Sequence, residues 1–175
     1  MFKIIDGGFE PVRSTKYSAY VDLFAKEDIT IGAGETKIVK LGVKLDLDSL
    51  YRSWYFYIEQ NNVSGSWEMF LKSHYLEIAL RSSLGAKGLI IANGIGIIDL
   101  DYPDEIGLIV HNPVQIREFV QNGNNYATVV DSDDSEFVIK KGDKVAQCAL
   151  KEHKGFLMGY ESDIIRDGGF GSTGK

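Results

Sequence analysis

The sequence predicts an all-β fold, a barrel or sandwich of short strands. Three observations point to it. Short apolar or alternating runs recur with a turn signal every few residues. No long stretch repeats at the helical period. Neither a tandem repeat nor a linker divides the 175 residues, a length that suits one domain with a sizeable core.

Phe2–Ile5 reads as a first strand, ended by Asp6-Gly7-Gly8, and Ser18–Ala25 as a second. Ile29–Ile31 and Thr36–Leu47 follow around the turn Gly32-Ala33-Gly34-Glu35; Leu41, Val43, Leu45 and Leu47 alternate as one buried side. In the aromatic-rich stretch Asp48–Ile78, Trp54–Ile58 and Trp67–Leu71 read as a β-hairpin around a long turn. A short helix from Ser66 is the alternative, since Trp67, Phe70, Leu71 and His74 also fit helical spacing. Tyr75–Leu80 returns as a strand into Arg81-Ser82-Ser83.

Asn93–Tyr102 organises the chain. Asn93-Gly94 between apolar runs signals a type I′ hairpin. Gly96 leaves room for a close approach to the backbone, and alternation puts Asp99 and Asp101 on one face and Tyr102 on the other. A narrow slot beside a carboxylate and an aromatic ring suits a small flat ring carrying a reactive group; this stretch alone favours an ordinary hairpin with an acidic face. Gly107–His111 is a further strand, Gln115–Val120 and Tyr126–Val130 a further hairpin, and Phe137–Ile139 and Lys144–Leu150 the last strands. Asp163–Lys175, ending in four glycines among eight residues, reads as a tail that is mobile until a ligand orders it, leaving 1–162 as the domain.

A net charge of −6 argues against a broad nucleic-acid face, so an anionic ligand needs a local cation cluster or a metal ion. Cys148 is the sole cysteine, which excludes an intramolecular disulfide. No apolar run nears a membrane span, and the first residues lack a signal-peptide core, so a cytoplasmic chain is expected. Gly169–Lys175 imitates the start of a P-loop without its strand, helix or final hydroxyl residue. Asp131–Glu136 lacks the glycine and glutamate spacing of a calcium loop. His74, His111 and His153 are scattered, so neither zinc binding nor a nucleophile pair is indicated. Arg81-Ser82-Ser83 combines a guanidinium fork with two hydroxyls, a set suited to phosphate and also found in plain turns.

In order, Ala19–Ala25, Arg81–Lys87, Asn93–Glu105, Gly142–Gln147 and Arg166 with Gly168–Gly174 resemble the five motifs of the trimeric deoxyuridine triphosphatase (dUTPase) family. Tyr20 stands where the family usually has Gly, Leu80 where it has Pro and Asp104 where it has Gly; Arg166 lies one residue nearer the glycines than usual. Segments 48–75 and 113–134 exceed the usual length, and some phage members carry extra segments, so a bacterial or phage-infected cell is a possible home.

The resemblance implies a jelly-roll-like distorted β-barrel, a homotrimer with shared sites, and Mg²⁺-dependent hydrolysis of dUTP to dUMP and pyrophosphate, which limits uracil incorporation into DNA. It implies Asp99 as the base that activates water against the α-phosphorus, and Tyr102 stacking under the deoxyribose. The backbone from Asn93 through Gly96 to Ile98 would read the uracil edge, and Arg81, Ser82, Ser83, Gln147 and Arg166 would hold phosphates. Asp22 would help hold Mg²⁺ through water; Phe170 would cap the base while Ser172 and Thr173 reach the γ-phosphate as the tail closes. Two other readings stand beside this one. One is a dCTP deaminase of the same fold, which shares the Arg-Ser-Ser motif but needs a differently placed Glu. The other is a nucleotide-sensing module that binds a protein partner through the added segments.

Overall fold

Alternating strands bury one face each, and here those faces meet in a single core. The computed structural model describes residues 1–114, 116–121, 124–129, 136–159, 162, 166 and 168. Phe170, Ser172, Thr173 and, apart from Arg166 and Gly168, the whole tail beyond Ser162 lie outside the described residues, as do residues 131–135 of the acidic stretch.

The strands are β1 (Phe2–Ile4), β2 (Val21–Phe24), β3 (Ile29–Ile31), β4 (Thr36–Lys40), β5 (Val43–Leu45), β6 (His74–Leu80), β7 (Ile90–Ile91), β8 (Gly96–Asp99), β9 (Gly107–His111), β10 (Ile116–Gln121), β11 (Asn124–Val129), β12 (Phe137–Ile139) and β13 (Lys144–Glu152). All pairings among them are antiparallel. A four-stranded sheet runs β2-β13-β6-β8 and a three-stranded sheet β4-β9-β7; β1-β5, β12-β3 and β10-β11 pair separately. Leu23, Leu76, Ile78 and Cys148 from the first sheet and Val39, Leu108 and Val110 from the second share one buried cluster. Burial pushes the Cys148 thiol up to about 12.

The mostly β architecture agrees with the sequence reading, with three corrections. First, Asp48–Ile78 contains two helices, not a hairpin: α1 (Leu47–Asn61) and α2 (Trp67–Ser73). Asp46 caps α1 by accepting from the Ser49 amide, and left-handed Asn62 closes it. Ser66 caps α2, so the alternative of a helix from Ser66 is the one realised. Leu47, Leu50, Tyr51, Trp54 and Ile58 recur at helical spacing, and this outweighs the strand preference of their aromatic neighbours. Trp67, Phe70 and His74 stack in series where α2 meets β6, with the Trp54 ring of α1 tilted against Trp67.

Second, Thr36–Leu47 is not one strand. Gly42 breaks it with φ +66°, and a Cβ there would lie 2.4 Å from the Gly8 Cα. Third, Asn93-Gly94 does not close a hairpin: β7 pairs with β9 and β8 with β6, so the turn passes between sheets. A type I′ turn needs two positive φ values, and here only Gly94 has one. The turn is instead closed by the Gly94 amide donating to the Ile91 carbonyl at 3.2 Å. A four-residue helix, α3 (Ser82–Gly85), follows β6. No helix among the described residues is long and apolar enough to cross a membrane.

Candidate active site

Strand β8 is an edge strand, so one side of its backbone is not engaged by the sheet. Its register on β6 sets Gly96 opposite Ile78 and Asp99 opposite Tyr75. A Cβ on Gly96 would sit 3.2 Å from the Ile78 Cβ, so the close approach inferred from the sequence is that of the neighbouring strand. After Asp99 the chain turns, the Tyr102 amide donating to the Asp99 carbonyl at 3.0 Å. Asp99 and Asp101 are thereby exposed and Tyr102 buried, as the alternation predicts. Burial raises the Tyr102 phenol pKa.

Asn93, Gly96, Ile98, Tyr102 and Arg166 line one cavity of about 180 Å³. At its mouth, Arg166 donates from Nη1 to Asp99 Oδ2 at 2.7 Å and lies 5.2 Å from the Tyr102 ring centroid. Arg166 therefore rests on the carboxylate and ring, away from the other residues assigned to phosphates. Asp99, Asp101 and Arg166 themselves line a larger cavity of about 590 Å³, also walled by Leu71 and Lys72 of α2 and by His74 and His153.

A second group forms where β2 meets β13, with Asp22 opposite Gln147. Asp22 is 6% exposed. Its Oδ2 accepts from the Ser14 hydroxyl and from Lys144 Nζ at 2.9 Å, and Arg81 Nη1 stands 3.4 Å away. Burial pushes the Asp22 pKa up, but Ser14, Lys144 and Arg81 more than reverse this, and the carboxyl sits below its ordinary value. Ser14, Ser18, Tyr20, Asp22, Arg81 and Gln147 surround a cavity of about 250 Å³. Ser82 and Ser83 follow Arg81 on the exposed first turn of α3 and do not line it. Motif reading missed Ser14, which no local pattern marks, and Lys144, which lay inside a matched block without a role.

The expected residues thus fall into two clusters at opposite ends of one sheet. Tyr75 marks the level of Asp99 on β6, and Arg81 lies six residues further along the chain, about 20 Å at the rise of a strand. Arg81 and Asp99 of one chain therefore lie at opposite ends of β6. No group of three or more His, Cys, Asp or Glu side chains able to hold a metal ion occurs among the described residues.

No family model matches the chain. The chain is 31% identical over 171 residues to the deoxyuridine 5'-triphosphate nucleotidohydrolase of Lactococcus lactis, covering 94% of this chain and 87% of that protein. This chain belongs to the dUTPase family. The Rickettsia bellii dUTPase is 30% identical over 172 residues, with 94% and 86% covered. Among solved structures, the dUTPase of Streptococcus mutans superposes with a TM-score of 0.56 at 21% identity, covering 87% of this chain and 95% of its own. The dUTPase of Staphylococcus aureus phage phi11 gives 0.59 at 18% identity, covering 98% and 97%. These structures support the dUTPase fold for this chain, in keeping with the jelly-roll-like expectation.

Proposed function

We propose that the chain hydrolyses dUTP to dUMP and pyrophosphate, using Asp99 as general base. The observation that carries this reading is an exposed carboxylate on a strand edge, beside a narrow cavity walled by a buried tyrosine, in a member of the dUTPase family. The free edge of β8 offers amides and carbonyls to a uracil edge, as a strand would to its neighbour. A close-fitting backbone rejects the thymine methyl by overlap and cytosine by leaving polar groups unpaired. Tyr102 provides the surface beneath the deoxyribose. Asp99 has Arg166 on Oδ2, which fixes the carboxylate and leaves Oδ1 to accept the proton of the attacking water.

Arg81 and Gln147, with Ser82 and Ser83 at the cavity's edge, would hold the phosphates of a nucleotide whose uracil lies on another copy. The separation of about 20 Å along the sheet supports this shared-site arrangement. It fits a homotrimer in which the base-bearing end of one chain meets the anion-binding end of the next. The substrate is then the Mg²⁺ complex of dUTP. A variant of the phage phi11 dUTPase has been described with a structural Mg(II) ion. The donor set here suits an outer contact: three donors gather on Asp22 Oδ2, and Oδ1 is the acceptor left for a metal-bound water. Bound Mg²⁺ would neutralise charge on the phosphates. Phe170, Ser172 and Thr173 retain the roles that the motif resemblance gives them.

A second reading, protein recognition through the added segments, is favoured by one observation. The β10-β11 hairpin pairs with no other strand among the described residues. Phage 80alpha dUTPases, which share the fold, control transfer of virulence genes. Deleting 113–134 separates the two readings: catalysis should persist and partner binding should be lost.

Pyrophosphate release measured side by side with dUTP, dCTP, dTTP and UTP, with and without Mg²⁺, tests the principal reading. Turnover confined to dUTP with Mg²⁺ is expected. Equal turnover of dUTP and dTTP would sink it, and ammonia release from dCTP would replace it with a deaminase.

A further inference from the structure

The cavity around Asp22 is partly walled by residues 13–20, which belong to no strand or helix. This segment places Ser14 and Ser18 at the cavity. The base of the loop is closed by reciprocal backbone hydrogen bonds between Val12 and Asp22, of 3.1 and 2.8 Å. Just before β2, the Tyr20 hydroxyl donates to Glu77 Oε1 on β6. Glu77 is well placed for this: its side chain is only 14% exposed, and its Oε2 accepts from the Tyr75 hydroxyl at 3.1 Å. Lys151 Nζ lies 3.9 Å from Glu77 Oε1 and 5.3 Å from the Tyr20 ring centroid. Tyr20 is thus held from its hydroxyl and over its ring, while it also lines the anion cavity.

We infer that Glu77, acting through Tyr20, is a positioning residue for the phosphate-binding half of the site. The inference rests on the dUTP-hydrolysis reading for its substrate, a polyphosphate chain, and assigns to this pair a role that the family motifs do not contain, since Tyr20 replaces their glycine. Free of Glu77, the Tyr20 ring loses its tie to β6, and the cavity wall it forms beside Arg81 and Gln147 is no longer held in one place. Glu77 pairs with Ile97 of β8, but its side chain contacts Tyr20, Tyr75 and Lys151 and neither Asp99 nor the outer edge of β8, so removal of the clamp weakens phosphate binding and spares the chemical step and uracil recognition.

The test uses the full chain with Tyr20→Phe, Glu77→Gln and the double variant. Inorganic pyrophosphate and deoxyuridine binding are measured by calorimetry with Mg²⁺, and kcat and KM are measured for dUTP. Tyr20→Phe keeps the ring and should raise KM and the pyrophosphate Kd about tenfold, the equivalent of one hydrogen bond to a charged group. It should leave kcat within about twofold and deoxyuridine binding unchanged. Glu77→Gln keeps an acceptor for the Tyr20 hydroxyl and loses only the charge, so it should show a smaller rise in the same direction, and the double variant should match Tyr20→Phe alone. Wild-type pyrophosphate affinity in Tyr20→Phe, or equal loss of deoxyuridine affinity, overturns the clamp. Absence of pyrophosphate binding in the wild-type chain also overturns it. A chain that binds pyrophosphate but does not turn over dUTP defeats the hydrolysis reading alone, and the pyrophosphate arm still decides the clamp.

Discussion

Asp22 and Asp99 are chemically the same side chain in opposite settings. Asp22 gathers Ser14, Lys144 and Arg81 on one oxygen and is nearly sealed. Replacing it by Asn should lower stability by about 2 kcal/mol at neutral pH, the scale of hydrogen bonds to a charged group. Because its folded pKa lies below the ordinary 3.8, its contribution is complete above that value and fades as pH falls through the lowered one. The melting-temperature gap between wild type and Asp22→Asn should therefore hold from pH 7 to about 4 and close below it. Asp99 is 62% exposed at its side chain, and its ion pair with Arg166 adds little stability. Asp99→Asn should melt within about 0.5 kcal/mol of wild type, retain dUTP binding and lose about 10²–10⁴ in kcat. Steady-state kinetics with calorimetry checks both halves of that statement. Asp99 and Tyr102 were legible because one ten-residue stretch carries them in alternation. Ser14 was not, because its partner Lys144 lies 130 positions away and only the sheet register unites them.

The helical pair α1–α2 is held by rings rather than by a broad buried face. Trp67 stands at its centre, 5.5 Å from the Trp54 ring, 5.2 Å from Phe70 and 5.2 Å from Tyr51. Trp67→Ala should cost about 2 kcal/mol and reduce amide protection in α1 and α2 while leaving the β4-β9 pair protected. Hydrogen exchange followed by mass spectrometry reads this directly; uniform loss across both sheets would contradict it. The strand elements with clear alternation, such as Ile29–Ile31, Gly107–His111 and Phe137–Ile139, were legible to the residue. The helices were obscured because aromatic residues favour strands in isolation, whereas spacing and the caps Asp46 and Ser66 decide the outcome. Gly42 ended a strand that alternation alone would continue, since its contact with Gly8 lies 34 positions away in the chain.

At the scale of the whole molecule, the two clusters on one sheet make a prediction about mixtures. Asp99→Asn and Arg81→Ala chains should each be nearly inactive alone. Mixed, unfolded and refolded together, they should recover roughly one site in four if, as proposed, each shared site draws one residue from each of two chains. Recovery of no activity by a mixture shown to exchange subunits would refute shared sites, and light scattering should report a trimer. Position of the clusters within one chain was beyond reach from motifs, which order residues along the sequence but carry no distance across a sheet. The solitary thiol has a practical corollary. Cys148 is buried and its proton is held to about pH 12, so a maleimide dye finds no competing target in the native chain. A cysteine introduced for Ile97, 59% exposed and across from Glu77, would be the one handle that takes the label. Its labelling should be fast in dilute solution and slow at high concentration if copies cover this face, turning a dye's reaction rate into a gauge of assembly.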